Sequence, residues 1–484
     1  MIHSRSSSQI GSFFAVVTVL LTATLMGCSS LNKSSQAKSS ATKVQKGTIA
    51  HGALNPIVPP GVYIADPEPR VMPDGRIYVY GSRDVPRYTW CSKAYHVLSS
   101  DDMTHWNLEQ FSFATEGPGK QTDYTDRVLY APDCIYHNGQ YYLYYCLAGD
   151  KTDDEGVAVS DSPYGPFRNG RVIKGAEGID PSIFIDDDGQ AYLYWGQGYA
   201  KGARLSRDLT RIEGPISDKL LTFQEHAFNE ASSVRKRNGI YYYIYGGHQR
   251  HGESNCATLN YATSTSPLGP FTYRGVIVDN FSSQANVVNN HGSIVEYKGN
   301  WYIFYHRPTH GTSSMRKVCV ESIHFNSDGT IQEVEMTTQG VSGPMNPLRR
   351  MEASRACQLQ GHLVVRCQRH PEDTPVEYLS QIRHGDQAYW RYYDFNKQSI
   401  SHFECKTWQA NAEADIEIRL DAPDGELLGT CHLRPMNGDV NYQIHRTAVR
   451  PVKGVHALVL VFKSPASVSD QDLLNLEWFR FTQD

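Results

Sequence analysis

One short unit occurs five times in the first two-thirds of this chain: a turn ending in glycine, followed by an aromatic strand. It stands at Asp74-Gly75 before RIYVYGSR, Asn138-Gly139 before QYYLYYC, Asp188-Gly189 before QAYLYWGQ, Asn238-Gly239 before IYYYIYGG and Lys298-Gly299 before NWYIFYHR. An Asn-Gly or Asp-Gly pair between alternating runs signals a hairpin, because a tight type I′ turn needs positive φ at both central residues. The five glycines lie 64, 50, 50 and 60 residues apart. That spacing leaves room for four short strands per unit, and a regular array of such units closes radially on itself. The expected fold over residues 51–346 is all-β, a five-bladed β-propeller.

The repeat also places chemistry. Nine residues before the turn glycine stand Asp66, Asp180 and Glu230 in the first, third and fourth units. The second unit has Tyr130 there, with Asp133 three residues on, and the fifth has Asn290 beside His291. Equivalent positions of a radial repeat converge on the axis, so three carboxyl groups are expected around one cavity. Each acid taken alone could cap a turn or pair with an arginine; three in one register point to acid–base work. Two further echoes, SDSPYGPF at 160–167 and STSPLGPF at 264–271, strengthen the repeat.

Composition narrows the partners. The formal net charge of −5 and the absence of a basic stripe exclude an electrostatic footprint for nucleic acid. Thirty tyrosines and seven tryptophans suit half-buried strands and also suit stacking on sugar rings. At the N-terminus, Arg5 precedes an apolar run from Ile10 to Met26 that ends in Leu25-Met26-Gly27-Cys28. This resembles a bacterial lipoprotein signal over residues 1–28, with lipid carried on Cys28, and the Ser/Lys/Gln/Ala-rich residues 29–50 read as a flexible tether. The implied location is the bacterial cell envelope, with the chain held to a membrane by its lipid. The other nine cysteines lack zinc spacings; Cys357 with Cys367 or Cys405 with Cys431 are possible pairs in an oxidising compartment. After a break at Gly343-Pro344-Met345-Asn346-Pro347, alternating runs such as ADIEIRL at 414–420 and HALVLVF at 456–462 predict a β-sandwich over residues 350–484.

Five motifs in order, Tyr63-Ile64-Ala65-Asp66-Pro67, Tyr130-Ala131-Pro132-Asp133, Gly178-Ile179-Asp180-Pro181-Ser182, Phe228-Asn229-Glu230-Ala231 and Asn290-His291-Gly292-Ser293, together resemble glycoside hydrolase family 43 over residues 52–345. The tail, from Val452-Lys453-Gly454-Val455-His456 through Asn475-Leu476-Glu477-Trp478-Phe479-Arg480-Phe481, resembles a family 6 carbohydrate-binding module, with Trp390, Tyr392, Tyr393 and Trp408 as its sugar-stacking or core aromatics. The family resemblance implies an inverting glycosidase that releases terminal sugars from plant-type polysaccharide, as an α-L-arabinofuranosidase or β-xylosidase, and needs no organic cofactor. It implies Asp66 as general base, Glu230 as general acid and Asp180 as the carboxylate that raises the acid's pKa. It further implies His291 as a possible calcium ligand at the axis and Arg307 as a channel arginine orienting a carboxylate or sugar hydroxyl; Asp133 reads as structural. Three alternatives stay open: a β-galactofuranosidase or galactan-active enzyme of this fold, a lipid-anchored glycan-binding protein without activity, and a retaining transferase in which Asp66 attacks carbon.

Overall fold

In a computed structural model, the structure describes residues 46–49, 54–86, 90–117, 119–149, 153–252, 255–284, 289–369, 374–408, 410, 412–435 and 442–483. The expected lipoprotein signal, Cys28 and most of the tether lie outside these residues. The tether's expected end does not: Lys46–Ile49 is a strand, paired antiparallel with Trp106 to Glu109 at the outer edge of the first sheet.

Five antiparallel sheets form the blades, and each begins with its innermost strand: Ile64–Val71, Asp133–His137, Ser182–Ile185, Phe228–Arg237 and Ser293–Tyr297. The aromatic runs form the second strands, including Ile77–Arg83, Gln140–Leu147 and Ile240–Gly247. Their side chains meet between blades, so the propeller core is five interface clusters. Val79 and Leu98 of the first blade meet Phe304 and Val320 of the fifth, which closes the ring.

The turns divide into two kinds. Asn138-Gly139, Asn238-Gly239 and Lys298-Gly299 have positive φ at both residues, as a type I′ turn requires. At Asp74-Gly75 and Asp188-Gly189 only the glycine is left-handed. There the Asp carboxylate accepts from the backbone N–H two residues on, Arg76 at 3.1 Å and Gln190 at 2.9 Å, and that bond holds a wider turn.

The axis opposite the pocket is packed with ion pairs. Arg70 makes a two-pronged bond to Asp133, at 2.9 and 2.5 Å, and also reaches the Ile183 carbonyl. Arg235 pairs with Glu68, which accepts from Ser233, and Ser233 meets Ser293 at 2.6 Å. All five innermost strands contribute, and Asp133 belongs to this plug rather than to the cavity.

The tail is the expected sandwich. One sheet holds Val364–Arg369, Pro375–Ser380, Asn475–Thr482, His402–Trp408 and Gln443–Ala448; the other holds Gln358–Gln360, Gln387–Asp394, Val455–Lys463, Ala414–Leu420 and Leu427–Leu433. Strict alternation of buried and half-buried residues along ADIEIRL shows one face turned to the core. Cys405 and Cys431 touch across that core. Cys357 and Cys367 lie apart, the first bonded to the Tyr389 carbonyl and the second beside Gly61.

Propeller and sandwich form one compact unit. Lys317, in the strand Thr312–Ile323, bonds both carboxylate oxygens of the sandwich's Glu377 at 2.8 and 2.6 Å, all of it buried. Arg355 donates to the Leu54 and Pro56 carbonyls, and Tyr392 donates to Glu335 at 2.5 Å. Of the four aromatics left open as sugar-stacking or core, Trp390 and Tyr393 are core, Tyr392 is spent on this seam, and Trp408 is covered by Tyr378 and Tyr442 at 4.3 and 5.2 Å.

Candidate active site

A cavity of about 430 Å³ opens where the innermost strands begin, lined among others by Asp66, Asp180, Glu230, His291, Asn289 and Arg316. The backbone aims the acids. Asp66 lies where the first two strands of its blade lose register between Ala65 and Glu68, and Glu230 lies between two such shifts, at Phe228 and Ser233. A bulge of this kind bends a strand and turns a side chain out of the regular alternation. Asp66, Asp180 and Ala231 adopt left-handed φ of 52°, 62° and 67°. Such non-glycine conformations persist only where the surroundings enforce them, and they gather at functional sites.

Each carboxyl group meets different company. Arg316 Nη1 donates to Asp66 Oδ1 at 2.6 Å, and the Asp66 backbone N–H donates to His306 Nδ1 at 3.2 Å. Because His306 Nδ1 accepts there, its proton sits on Nε2, directed at the Asn289 carbonyl 3.3 Å away. Burial alone would push the Asp66 carboxyl up, but the guanidinium, helped by His291 and His306, outweighs it and holds the group at about 2. Asp180 accepts from the Ala231 N–H at 2.8 Å, and burial together with the charges of Glu230 and Asp66 keeps it well above the usual range. Glu230 accepts from Gln197 Nε2 at 2.8 Å and from Asn289 Nδ2 at 2.9 Å; burial raises it, and Asp66 adds to the rise. Asp180 and Glu230 titrate as a pair that keeps a proton after an isolated carboxyl has lost its own.

His291 stands 3.6 Å from Asp66 and 3.8 Å from Asp180, and burial depresses it to about 4, so it is neutral at neutral pH. Calcium asks for six to eight oxygen ligands. Among the described residues no group of three His, Cys, Asp or Glu side chains is placed to hold a metal ion, and the two carboxylates near His291 already have partners, so its side-chain surroundings do not fit that ion.

Arg307 does not line the cavity. Its guanidinium turns the other way, to the Tyr305 hydroxyl at 2.9 Å, the Thr337 carbonyl at 2.5 Å and Glu321 at 3.6 Å. Alternation explains this: His306 faces the axis, so its neighbour in the strand Asn300–Thr309 faces away. The arginine of the site is Arg316, whose Nε and Nη2 form a fork on Asp84, both at 2.9 Å, while Nη1 reaches Asp66 and Asn289. Arg316, Asp84, Asn289 and Gln197 lie outside the five motifs, and no repeat position marks them.

Carboxyl groups sorted into one firmly ionised and two proton-retaining, in a sugar-sized cavity at the mouth of a propeller, define a carbohydrate-cleaving hydrolase. Residues 54–331 match Glycosyl hydrolases family 43, and the chain belongs to that family; residues 364–483 match Carbohydrate binding module (family 6). A xylosidase/arabinosidase of Thermoclostridium stercorarium is 36% identical over 59% of this chain and 67% of that protein. An arabinoxylan arabinofuranohydrolase of Bacillus subtilis (strain 168) is 28% identical over 85% of this chain and 89% of its own length. Among solved structures, a β-xylosidase/α-arabinofuranosidase from a compost microbial metagenome, crystallised with xylotriose in a calcium-free form, superposes with a TM-score of 0.52, at 30% identity over 59% of this chain and 98% of that chain.

Proposed function

We propose that this chain is an inverting glycosidase that removes terminal α-L-arabinofuranosyl or β-xylosyl units from plant-type polysaccharide, with Asp66 as base, Glu230 as acid and Asp180 as the acid's partner. The observation that carries the reading is the opposite tuning of the acids, Asp66 held near 2 and Glu230 raised. Arg316 occupies Asp66 Oδ1, and Oδ2, which faces the weakly donating Cys91 thiol at 3.6 Å, takes a proton from water as the water oxygen bonds to the anomeric carbon. The glycosidic C–O bond breaks, and Glu230 delivers its proton to the departing oxygen. A guanidinium nitrogen and the Asn289 amide stand between base and acid. An inverting pair keeps its carboxyl groups about 6.5–9.5 Å apart to admit water, and here the two acids are joined only through those intervening groups.

The Bacillus subtilis relative, which matches along both domains, is named for arabinoxylan, and this puts arabinofuranosyl branches first among substrates. Trp90, Cys91, His248 and Cys256 also line the cavity. A panel of nitrophenyl glycosides with proton NMR of the first-formed anomer tests the proposal. Release of the inverted pentose supports it; a retained anomer, or turnover of the galactofuranoside alone, overturns it.

We also propose a lipid anchor on Cys28 that keeps the enzyme at the cell envelope, supported by the Leu-Met-Gly-Cys sequence and the polar stretch after it. Radiolabelled fatty acid should mark the wild type and not Cys28→Ala; equal labelling removes the anchor.

A further inference from the structure

Asn289 touches both halves of the acid–base pair, and its two side-chain atoms are chemically distinct. Arg316 can only donate, so the atom 3.1 Å from Nη1 is the amide oxygen, and the amide cannot be turned over without setting donor against donor. The nitrogen is thereby committed to Glu230 Oε1, 2.9 Å away, to which it too can only donate. Arg316 is in turn fixed by its fork on Asp84. The Asn289 backbone is held as well, its carbonyl accepting from Asn280 Nδ2 at 2.9 Å. A buried chain of one-way contacts thus runs from Asp84 through Arg316 and Asn289 to one particular oxygen of Glu230.

We infer that Asn289 is a positioning residue that makes Glu230 Oε1 the permanent acceptor and so places the transferable proton on Oε2. The inference rests on Glu230 being the acid. Oε2 meets Gln197, which sits on the exposed rim and can present either its N–H or its carbonyl as the glutamate changes protonation state. An arriving glycosidic oxygen replaces Gln197 at the one oxygen that carries the proton. Without Asn289 the proton is distributed over both oxygens, and one of them faces away from the scissile bond. The lost N–H bond also removes support for the ionised form, so Glu230 holds its proton to higher pH.

The test uses Asn289→Asp, which keeps the shape and the oxygen facing Arg316 but turns the donor to Glu230 into an acceptor, with Asn289→Leu as the second variant. For both, the alkaline limb of kcat/KM is expected to move to higher pH. Aryl glycosides with poor leaving groups should lose about 10²-fold, within the usual range for proton donation, while dinitrophenyl glycosides lose far less, so the dependence on leaving-group pKa steepens. An unmoved limb with an equal loss for every leaving group would make Asn289 a packing residue and overturn the inference. Glu230→Gln run alongside separates the two failures. If it shows no leaving-group dependence, the acid is misassigned; if it does and Asn289→Asp does not, only the role of Asn289 falls.

Discussion

Two carboxyl groups in one cavity differ in what each must do when the leaving group is good. Glu230→Gln should nearly abolish cleavage of natural glycosides, by the 10²–10⁴-fold typical of a lost proton donor, yet spare dinitrophenyl glycosides, whose leaving groups need no proton. Asp66→Asn should abolish both, because water must be activated whatever departs. Asp180→Asn should give an intermediate loss with the alkaline limb moved to lower pH. The sign follows from coupling: Asp180 and Glu230 titrate as a pair whose last proton leaves against the other group's charge, so an amide at 180 removes that charge and lets Glu230 ionise earlier. Hydrolysis of natural substrate by Glu230→Gln at the wild-type rate would sink these roles. The three acids were legible because the repeat register carries them. Arg316 was not, because it sits in TSSMRKVCVESI, a strand without a turn signal of its own. Arg307 looked suitable in type and place, but His306 beside it already faces the axis, and neighbours in a strand cannot share a face.

At the scale of strands and seams, the sandwich acts as a buttress. Glu377 crosses the domain boundary to reach Lys317, the residue after Arg316, and also accepts from the Gly61 N–H at 3.0 Å. Breaking a buried pair by removing one partner costs about 3–5 kcal/mol, since the other charge stays buried without compensation. Glu377→Gln should therefore lower the melting temperature by several degrees, and deletion of residues 350–484 should leave the propeller insoluble rather than merely weaker on polysaccharide. A soluble propeller with full activity on small glycosides and lost retention on arabinoxylan would instead make the sandwich a sugar-binding module. The alternation of ADIEIRL announced the sandwich strands, because one buried face imposes a period of two. Which tail aromatics were core was not readable: Trp390 and Tyr393 look the same in sequence whether they face Phe479 and Phe395 or a sugar.

A propeller closes where its last blade meets its first, and here a segment that precedes the repeats is built into that closure. The fifth sheet has three strands, Ser293–Tyr297, Asn300–Thr309 and Thr312–Ile323. Beside the last of them Ile57 donates to the Val318 carbonyl at 2.9 Å. Asn55 accepts from the Val320 N–H at 2.8 Å and donates to the Val320 carbonyl and to Glu321, both at 2.9 Å. The glycine spacing leaves room for four strands in every unit, so the three-stranded fifth sheet was not visible in it, and neither was its edge partner, since Leu54 to Val58 carry no strand pattern. Asn55→Ala takes this partner from the Val320 N–H and carbonyl, a loss of about 1–3 kcal/mol for each unsatisfied group, while Glu321 keeps Thr337 and Tyr305. Thermal unfolding should shift down accordingly, and a variant that melts with the wild type would show that the ring is closed elsewhere. The seam also responds to pH. Burial lifts Glu321 from its usual 4.5 to about 7 despite Arg307 and Thr337. Protons bound in the folded state but not in the unfolded one favour folding, so this contribution is full below about 4.5 and fades as pH rises through 7. Glu321→Gln, which keeps the shape but cannot ionise, should flatten the fall in melting temperature between pH 5 and 8.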